Sequence, residues 1–513
     1  MNAAESVRTA AVPRPLAQAA ALVAALQQQL GARLVETHIS WVLLTETQAW
    51  KIKKPLRLGF LDFGTLAERR RLCEEELRLN QRLAPSLYEA VVPITGTPRQ
   101  PRIGGSGPAL EVALQMRRFP DGALFSERLA AGRLGPAQID ALAQRLADFH
   151  QQAPVAPPDS PWGSAERVAA DLQAVLRRLA EHDPRFVAAN WRPWAQRAIG
   201  TLAPAWARRH AEGHVREGHG DLHLANLVCL GDEVTAFDAL EFDPALRWTD
   251  VMADIAFPVM DLHAHGRPDL GFRLLDGWLA QGGDHDGLPV LRAYLAYRAL
   301  VRAMVARLEP AGAAAGPDYL AAAAHWCRPG EPRLLITEGL PASGKSHLAL
   351  ALLERCGAIR LRSDVERKRL HGLPPLARSS SPPGAGLYTD AATRRTYARL
   401  LELAETALRA GWPVIVDAAF LRLAQRDSFR RLAHALGLPF AILRCEAPDA
   451  VLHSRLQRRR QQAGDPSEAD AAVLAQARAT QQPPAGHELP HALVAGPQPD
   501  PDTLAAAWCA RRV

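Results

Sequence analysis

Lysine is nearly missing from this chain: of 61 basic residues only five are lysines, so arginine serves almost wherever a surface cation is needed. Long apolar runs are missing too. No stretch approaches the roughly 18 uninterrupted apolar residues that a membrane span requires. The segment Leu16 to Leu26 behind Arg8 and Arg14 imitates a secretory signal, but Glu5, the run Gln27-Gln28-Gln29 and the lack of a cleavage site favour an amphipathic helix. The six cysteines (Cys73, Cys229, Cys327, Cys356, Cys445, Cys509) lie far apart and form no CxxC pair. That speaks against zinc ligation and a disulfide framework, and suits a reducing cytoplasm. Aromatics are sparse, at 6%, and are not interleaved among the arginines. The charge of +7 and pI near 9.3 therefore read as solvated helix faces rather than a nucleic-acid surface. No repeat at solenoid spacing is visible.

What is present fits a soluble globular protein, with 48% hydrophobic and 22% charged residues and, at 513 residues, room for two domains. Residues 1–33 read as an N-terminal helix and tail. Strands are expected over Leu34 to Leu44 and Gln48 to Lys53, joined by a turn at Thr45-Glu46-Thr47, and a helix over Leu66 to Leu83. Strand-like sequence over 91–119 precedes a mostly helical stretch from Gly135 to about Ala211. Short strands at Leu227 to Leu230 and Val234 to Phe237 follow, then a helix from about Pro289 to Arg307. The Ala/Gly/Pro-rich segment 309–332 reads as the linker between a first domain, 34–308, and a second, 333–513. In the second, apolar runs alternate with helical patterns as parallel α/β units do.

Against so much arginine the lysines stand out: Lys51, Lys53 and Lys54 together, then Lys345 and Lys368. A compact ammonium reaches into a phosphate cradle where a guanidinium does not substitute. Gly339-Leu340-Pro341-Ala342-Ser343-Gly344-Lys345-Ser346 satisfies G-x-x-x-x-G-K-[ST] between an apolar strand and a helical run. Backbone amides of such a loop wrap phosphates, Lys345 reaches the β- and γ-phosphates of ATP, and Ser346 ligates Mg²⁺. Asp364 and Asp417 follow apolar strands, where nucleotide sites recruit acids, although a helix cap is the plain alternative for each. Arg455 and Arg459 stand one helical turn apart and would close over a triphosphate, while Arg458 and Arg460 make a solvated face the alternative. With GLPASGKS, RSDVERKRL, VIVDAAFLRLAQR and RLQRRRQQAGDPSEAD, residues 333 to about 485 resemble the small AAA-type P-loop kinases of the shikimate-, gluconate- and chloramphenicol-kinase-like group. The resemblance implies that Asp364 is the catalytic base, Arg426 a substrate or structural arginine, and Arg455 with Arg459 a lid pair.

In the first domain His219-Gly220-Asp221-Leu222-His223-Leu224-Ala225-Asn226 sets an asparagine five residues after an aspartate, the spacing of the protein-kinase catalytic loop, and Asp238 closes the next strand. Asp221 would take the proton of an acceptor hydroxyl, with Asn226 and Asp238 on magnesium. Upstream, a lysine and a glutamate are available to position the α- and β-phosphates: resemblance to the kinase pattern of a glutamate seven residues before a leucine, here Leu83, implies Lys51 with Glu76, and Lys53 and Glu75 are alternatives. HGDLHLAN and FDALEFDP make residues 34 to 308 resemble the aminoglycoside phosphotransferase and choline kinase-like superfamily. With WKIKKP, HISWVLL and GFLDFGTLAERRRLCEEELRLN, the whole resembles a bacterial family that fuses an aminoglycoside phosphotransferase-like domain to an ATP-binding P-loop domain. The chain departs from the superfamily in lacking a glycine-rich nucleotide loop, whose place Ser40 to Thr47 takes.

The fold expected is therefore an α+β kinase-like domain followed by an α/β P-loop domain with a parallel sheet. The function expected is ATP- and Mg²⁺-dependent phosphoryl transfer to hydroxyl groups of small molecules at two sites, with neither membrane nor nucleic acid as partner. The alternatives are a regulatory first domain beside a catalytic P-loop domain, and a P-loop ATPase switch. Acidic Glu241 and Asp243 read as supporting or capping groups rather than as recognition of a cationic acceptor.

Overall fold

The computed structural model describes residues 14–58, 61–182, 186, 191–307, 316–379, 385–461, 466–496 and 498–512. They divide into two compact units: 1–134 with 216–249, and 135–215 with 250–513.

The first unit is built on a six-stranded antiparallel sheet. Helix α1 (Arg14–Leu30) precedes β1 (Arg33–Glu36), β2 (Ser40–Leu44) and β3 (Gln48–Lys53). Helix α2 (Leu66–Asn80), β4 (Tyr88–Thr97), β5 (Gln100–Ile103), β6 (Glu111–Arg117) and α3 (Phe125–Ala130) follow. The sheet order is β1-β2-β3-β6-β4-β5. Leu22, Val23 and Leu26 of α1 pack on Trp41, Leu43, Ile52 and Ile94, so the N-terminal helix belongs to this core. A separate hairpin, β7 (Leu227–Leu230) and β8 (Glu233–Ala236), pairs Leu227 with Ala236.

Two sequence expectations change here. The run Leu34 to Leu44 is not one strand: Thr37 Oγ1 accepts the Ser40 N–H at 3.0 Å while the Thr37 N–H donates to the Ser40 carbonyl at 2.9 Å. This local competition for the backbone folds the run into a hairpin, with Glu36 opposite Trp41. The turn between β1 and β2 is thus Thr37 to Ile39, and Ser40–Leu44, in the stretch expected to stand in place of a glycine-rich loop, is strand, while the expected turn Thr45-Glu46-Thr47 joins β2 to β3. Helix α2 also stops at Asn80, short of Leu83. Asn80 donates to the Glu76 carbonyl at 2.9 Å and accepts from Ala239 N–H at 2.9 Å.

The second unit stacks helices on a parallel sheet. Its helical layer is α4 (Pro136–Gln152), α5 (Ala165–His182), α6 (Trp191–Ala211), α7 (Val251–Ala264), α8 (Pro268–Gly282), α9 (Leu288–Ala306) and α10 (Tyr319–Cys327). The α/β layer runs β9 (Leu334–Glu338), α11 (Lys345–Cys356), β10 (Ile359–Arg362), α12 (Ser363–Arg369), α13 (Asp390–Arg409) and β11 (Val414–Asp417). It ends with α14 (Leu423–Ala435), β12 (Phe440–Cys445), α15 (Asp449–Gln461), α16 (Ala471–Thr480), β13 (Ala492–Ala495) and α17 (Pro501–Cys509). The order β10-β11-β9-β12-β13 is parallel throughout.

Aromatic packing joins the two layers. Trp412 meets Phe272 and Trp326, each at 6.1 Å between ring centroids, lies under the Arg292 guanidinium, and donates to the Leu288 carbonyl at 3.1 Å. The stretch expected as a linker, 309–332, contains α10, whose Trp326 is in that cluster; residues 309–315 lie outside the described set.

Candidate functional site

In the first unit, Lys51 and Lys53 are two residues apart on β3 and so leave the same face of the sheet. The Glu76 carboxylate on α2 receives both, Oε1 from Lys51 at 2.7 Å and Oε2 from Lys53 at 2.5 Å. Lys53 also pairs with Glu241 at 2.5 Å, and Lys51 with Asp238. Burial opposes the Lys51 charge, but Asp238, Glu76 and Glu241 outweigh it and hold the ammonium well above lysine's ordinary pKa. Glu76, although buried, is pulled to about 2 by the two lysines. Glu75 faces away, toward Arg78 and Arg247.

The catalytic-loop segment is fixed by its own histidine. His219 accepts the Asp221 N–H on Nδ1 at 3.3 Å and donates from Nε2 to the Phe237 carbonyl at 2.9 Å. Asn226 uses Nδ2 on the Asp221 carbonyl and Oδ2, at 2.9 and 3.2 Å, which leaves Oδ1 as the atom a cation would take. The Phe237 N–H donates to the Asn226 carbonyl at 3.0 Å, so Asn226 and Asp238 emerge side by side from paired strands. Asp238 sits at φ 64, and its N–H donates to the Tyr88 hydroxyl at 3.0 Å. Glu241 is held by Lys53, and Asp243 caps a short helix through Ala245 N–H at 2.9 Å, so both have supporting roles.

In the second unit the loop 339–346 joins β9 to α11. Gly339, at φ 147, could not carry a Cβ without meeting the Cys445 carbonyl. Ala342 holds a left-handed conformation at φ 64. Lys345 Nζ donates to the Gly339 and Leu340 carbonyls at 2.9 and 2.7 Å, and burial lowers its pKa. Ser346 Oγ donates to Asp417 Oδ1 at 3.1 Å. Arg455 NH1 reaches the Ala342 carbonyl at 3.1 Å. A cavity of about 1000 Å³ is lined by Pro341, Lys345, Ser346, Asp364, Asp417 and Arg455 together. Burial in it raises the pKa of Asp364, against the pull of Arg367 and Arg362. The Arg459 side chain lies outside the described residues. Arg426 is structural: it is buried, pairs with Glu488 at 2.7 and 2.9 Å, and donates to the Phe420 and Gln482 carbonyls.

The donor sets suit a hard divalent ion. A hydroxyl and a carboxylate in the second unit, and an amide oxygen and a carboxylate in the first, are oxygen ligands of the kind Mg²⁺ takes alongside phosphates and water. Among the described residues no group of three or more His, Cys, Asp or Glu side chains would hold a metal unaided.

The family model described as "AAA domain" matches residues 334–484, a span that includes the loop 339–346. Over 455 residues the chain is 31% identical to "Uncharacterized protein Rv2004c" of Mycobacterium tuberculosis (strain ATCC 25618 / H37Rv), covering 87% of this chain and 89% of that one. The same figures hold for "Uncharacterized protein Mb2027c" of Mycobacterium bovis. The chain belongs to the family of these mycobacterial proteins. Among solved structures, a gluconokinase from Sinorhizobium meliloti 1021 is 21% identical, covers 35% of this chain and 90% of its own, and gives a TM-score of 0.25. The Mycobacterium tuberculosis APS kinase CysC, in complex with AMPPNP and APS, is 21% identical with 35% and 96% coverage and a TM-score of 0.25. In this member of the family, the C-terminal region is an AAA-type P-loop domain with a parallel sheet.

Sequence reasoning held Lys53 only as an alternative to Lys51, whereas both bind the same glutamate, as the i, i+2 spacing on a strand signals. Other contributors it missed. Arg360 and Asp276 pair at 2.6 Å beneath the P-loop, and no motif marks either. The wall formed by Arg362, Arg367, Tyr388 and Tyr397 draws on β10, α12, the turn before α13 and α13 itself.

Proposed function

We propose that the chain is an ATP-dependent phosphotransferase with two nucleotide sites, each transferring the γ-phosphate to a hydroxyl of a small molecule. The observation that carries this is the Ser346 to Asp417 hydrogen bond, 3.1 Å long, in one cavity with Lys345, Asp364 and Arg455. Loop amides and Lys345 would bind the β- and γ-phosphates, Ser346 and Asp417 would hold Mg²⁺, and Arg455 would neutralise charge on the transferred group. Magnesium, when bound, supplies further neutralisation of phosphate charge. Asp364 takes the proton of the acceptor hydroxyl as its oxygen bonds to the γ-phosphorus and the bond from that phosphorus to the bridging oxygen breaks. In the first unit Lys51, oriented by Glu76, would bind the α- and β-phosphates, Asn226 and Asp238 the metal, and Asp221 the hydroxyl proton.

A second reading makes the first unit a nucleotide-binding regulator. Two observations favour it: Lys51 is paired with the metal candidate Asp238, and the turn Thr37-His38-Ile39 carries no glycine to follow phosphates closely. The test is acceptor-dependent ADP release by the purified chain across sugars, polyols and aminoglycosides, comparing Lys345→Ala with Asp221→Ala. Activities lost separately on different acceptors support two kinases. Loss with Lys345→Ala alone leaves the first unit regulatory, and ADP release that needs no acceptor points to an ATPase switch.

A further inference from the structure

Beneath the P-loop a buried arginine links helix α8, in the helical layer, to the residues expected to hold the metal. Arg360, on β10, donates from NH1 to the Ser346 carbonyl at 3.2 Å. Its Nε and NH2 donate to the two oxygens of Asp276 at 3.2 and 2.6 Å. The same NH1 stands 3.9 Å from Asp417 Oδ2, on the carboxylate whose Oδ1 accepts the Ser346 hydroxyl. Both side chains are 7% exposed, so little solvent screens the pair. Helix α8 is held at this spot from several sides. Phe272 packs against Gly357, Arg369 donates to the Ala280 carbonyl at 2.6 Å, and a Cβ on Gly277 would stand 2.8 Å from the Ala143 Cβ of α4.

We infer that Asp276 is a positioning residue of the P-loop site, acting through Arg360 on the Ser346 and Asp417 pair. The inference rests on the proposed binding of a magnesium nucleotide at this loop. Asp417 Oδ2 already has the Arg362 Nε at 3.6 Å; the bidentate Asp276 carboxylate draws the second guanidinium, that of Arg360, toward α8 and keeps it from closing on Asp417 as well. Without the Asp276 charge, the nearest carboxylate for the buried guanidinium is Asp417, and a pair formed there competes with Mg²⁺. A helix of the other layer thereby sets the metal affinity of the P-loop domain, from a position 69 residues before Lys345.

The experiment is equilibrium binding of a fluorescent ADP analogue to the full-length chain, titrated with Mg²⁺ and with EDTA, taking the component that Lys345→Ala removes as the P-loop signal. In Asp276→Asn the Mg²⁺ concentration for half-maximal binding rises about tenfold or more, while binding in EDTA is unchanged. Asp276→Glu restores most of the wild-type dependence. Asp276→Asn with Arg360→Met removes the competing cation and brings the Mg²⁺ requirement back toward wild type, which a merely structural loss would not do. Equal Mg²⁺ dependence in wild type and Asp276→Asn overturns the inference alone, as does a double variant no better than the single one. A wild-type chain whose binding never depends on Mg²⁺ overturns the P-loop reading and the inference with it.

Discussion

At the scale of single residues, burial and charge decide what each site residue does. Glu76 is the carboxylate shared by two buried ammonium groups, so its loss leaves Lys51 with Asp238 and Lys53 with Glu241 as their remaining partners. Glu76→Ala is expected to destabilise the chain by about 3–5 kcal/mol, measured by urea denaturation followed by circular dichroism. Its folded pKa of about 2 lies below the ordinary glutamate value of 4.5. The stabilisation is therefore fully present above that value and is lost as pH falls toward 2. Asp364 has the opposite sign. Its pKa is raised by burial, so folding favours the protonated form, and that contribution is lost as pH rises through the folded pKa. Asp364→Asn should then be at least as stable as wild type at neutral pH while losing about 10²–10⁴-fold in P-loop-dependent rate. The acid limb of the wild-type kcat/KM profile should lie above the ordinary aspartate range, because the base works deprotonated; a profile flat down to pH 4 would remove Asp364 from the base role.

Elements carry the next level of control. Gly277 lies inside α8 where α4 crosses closest, with the Ala143 Cβ at 2.8 Å from the position its own Cβ would take. Helix propensity favours leucine over glycine by up to about 1 kcal/mol, but the contact leaves no room. Gly277→Leu should destabilise by about 1–3 kcal/mol through overpacking, seen as a lower thermal midpoint. It should also raise the Mg²⁺ requirement of nucleotide binding, since Asp276 is its neighbour. A Gly277→Leu chain with unchanged stability would mean that α4 and α8 can move apart freely.

For the whole molecule, compactness ties the helical layer to the α/β layer rather than leaving them as separate modules. Trp412, 1% exposed, is covered by Phe272, Trp326 and the Leu288 carbonyl, all upstream of residue 333. A fragment of residues 333–513 retains Trp412 and Trp508 as its tryptophans. It should show red-shifted emission from a wetted indole and a tendency to aggregate, because an apolar face is opened to water. Blue-shifted emission from a monomeric fragment would show that the α/β layer closes on its own.

What the sequence determined alone is whatever depends on short spacing. The loop Gly339 to Ser346 needs only consecutive residues at a strand-to-helix turn. Asp221 and Asn226 need only a five-residue interval, and the strands at 334–338, 359–362, 414–417 and 440–445 announce themselves as apolar runs. The division of Leu34 to Leu44 was less legible, because one threonine hydroxyl competing for the backbone outweighs β-propensity, and β13 was missed because a four-residue strand with two half-buried residues, an exposed Val494 and a buried Ala495 carries little pattern. Tertiary structure decided everything that joins distant segments. It chose Glu76 over Glu75 by the face of α2 that meets β3, brought the Cys356 and Cys509 sulfurs to 3.6 Å although they are 153 residues apart, and set Asp276 beneath the P-loop through Arg360. Such pairings follow from which layers bury one another's apolar faces, a property of the packed whole that no local spacing encodes.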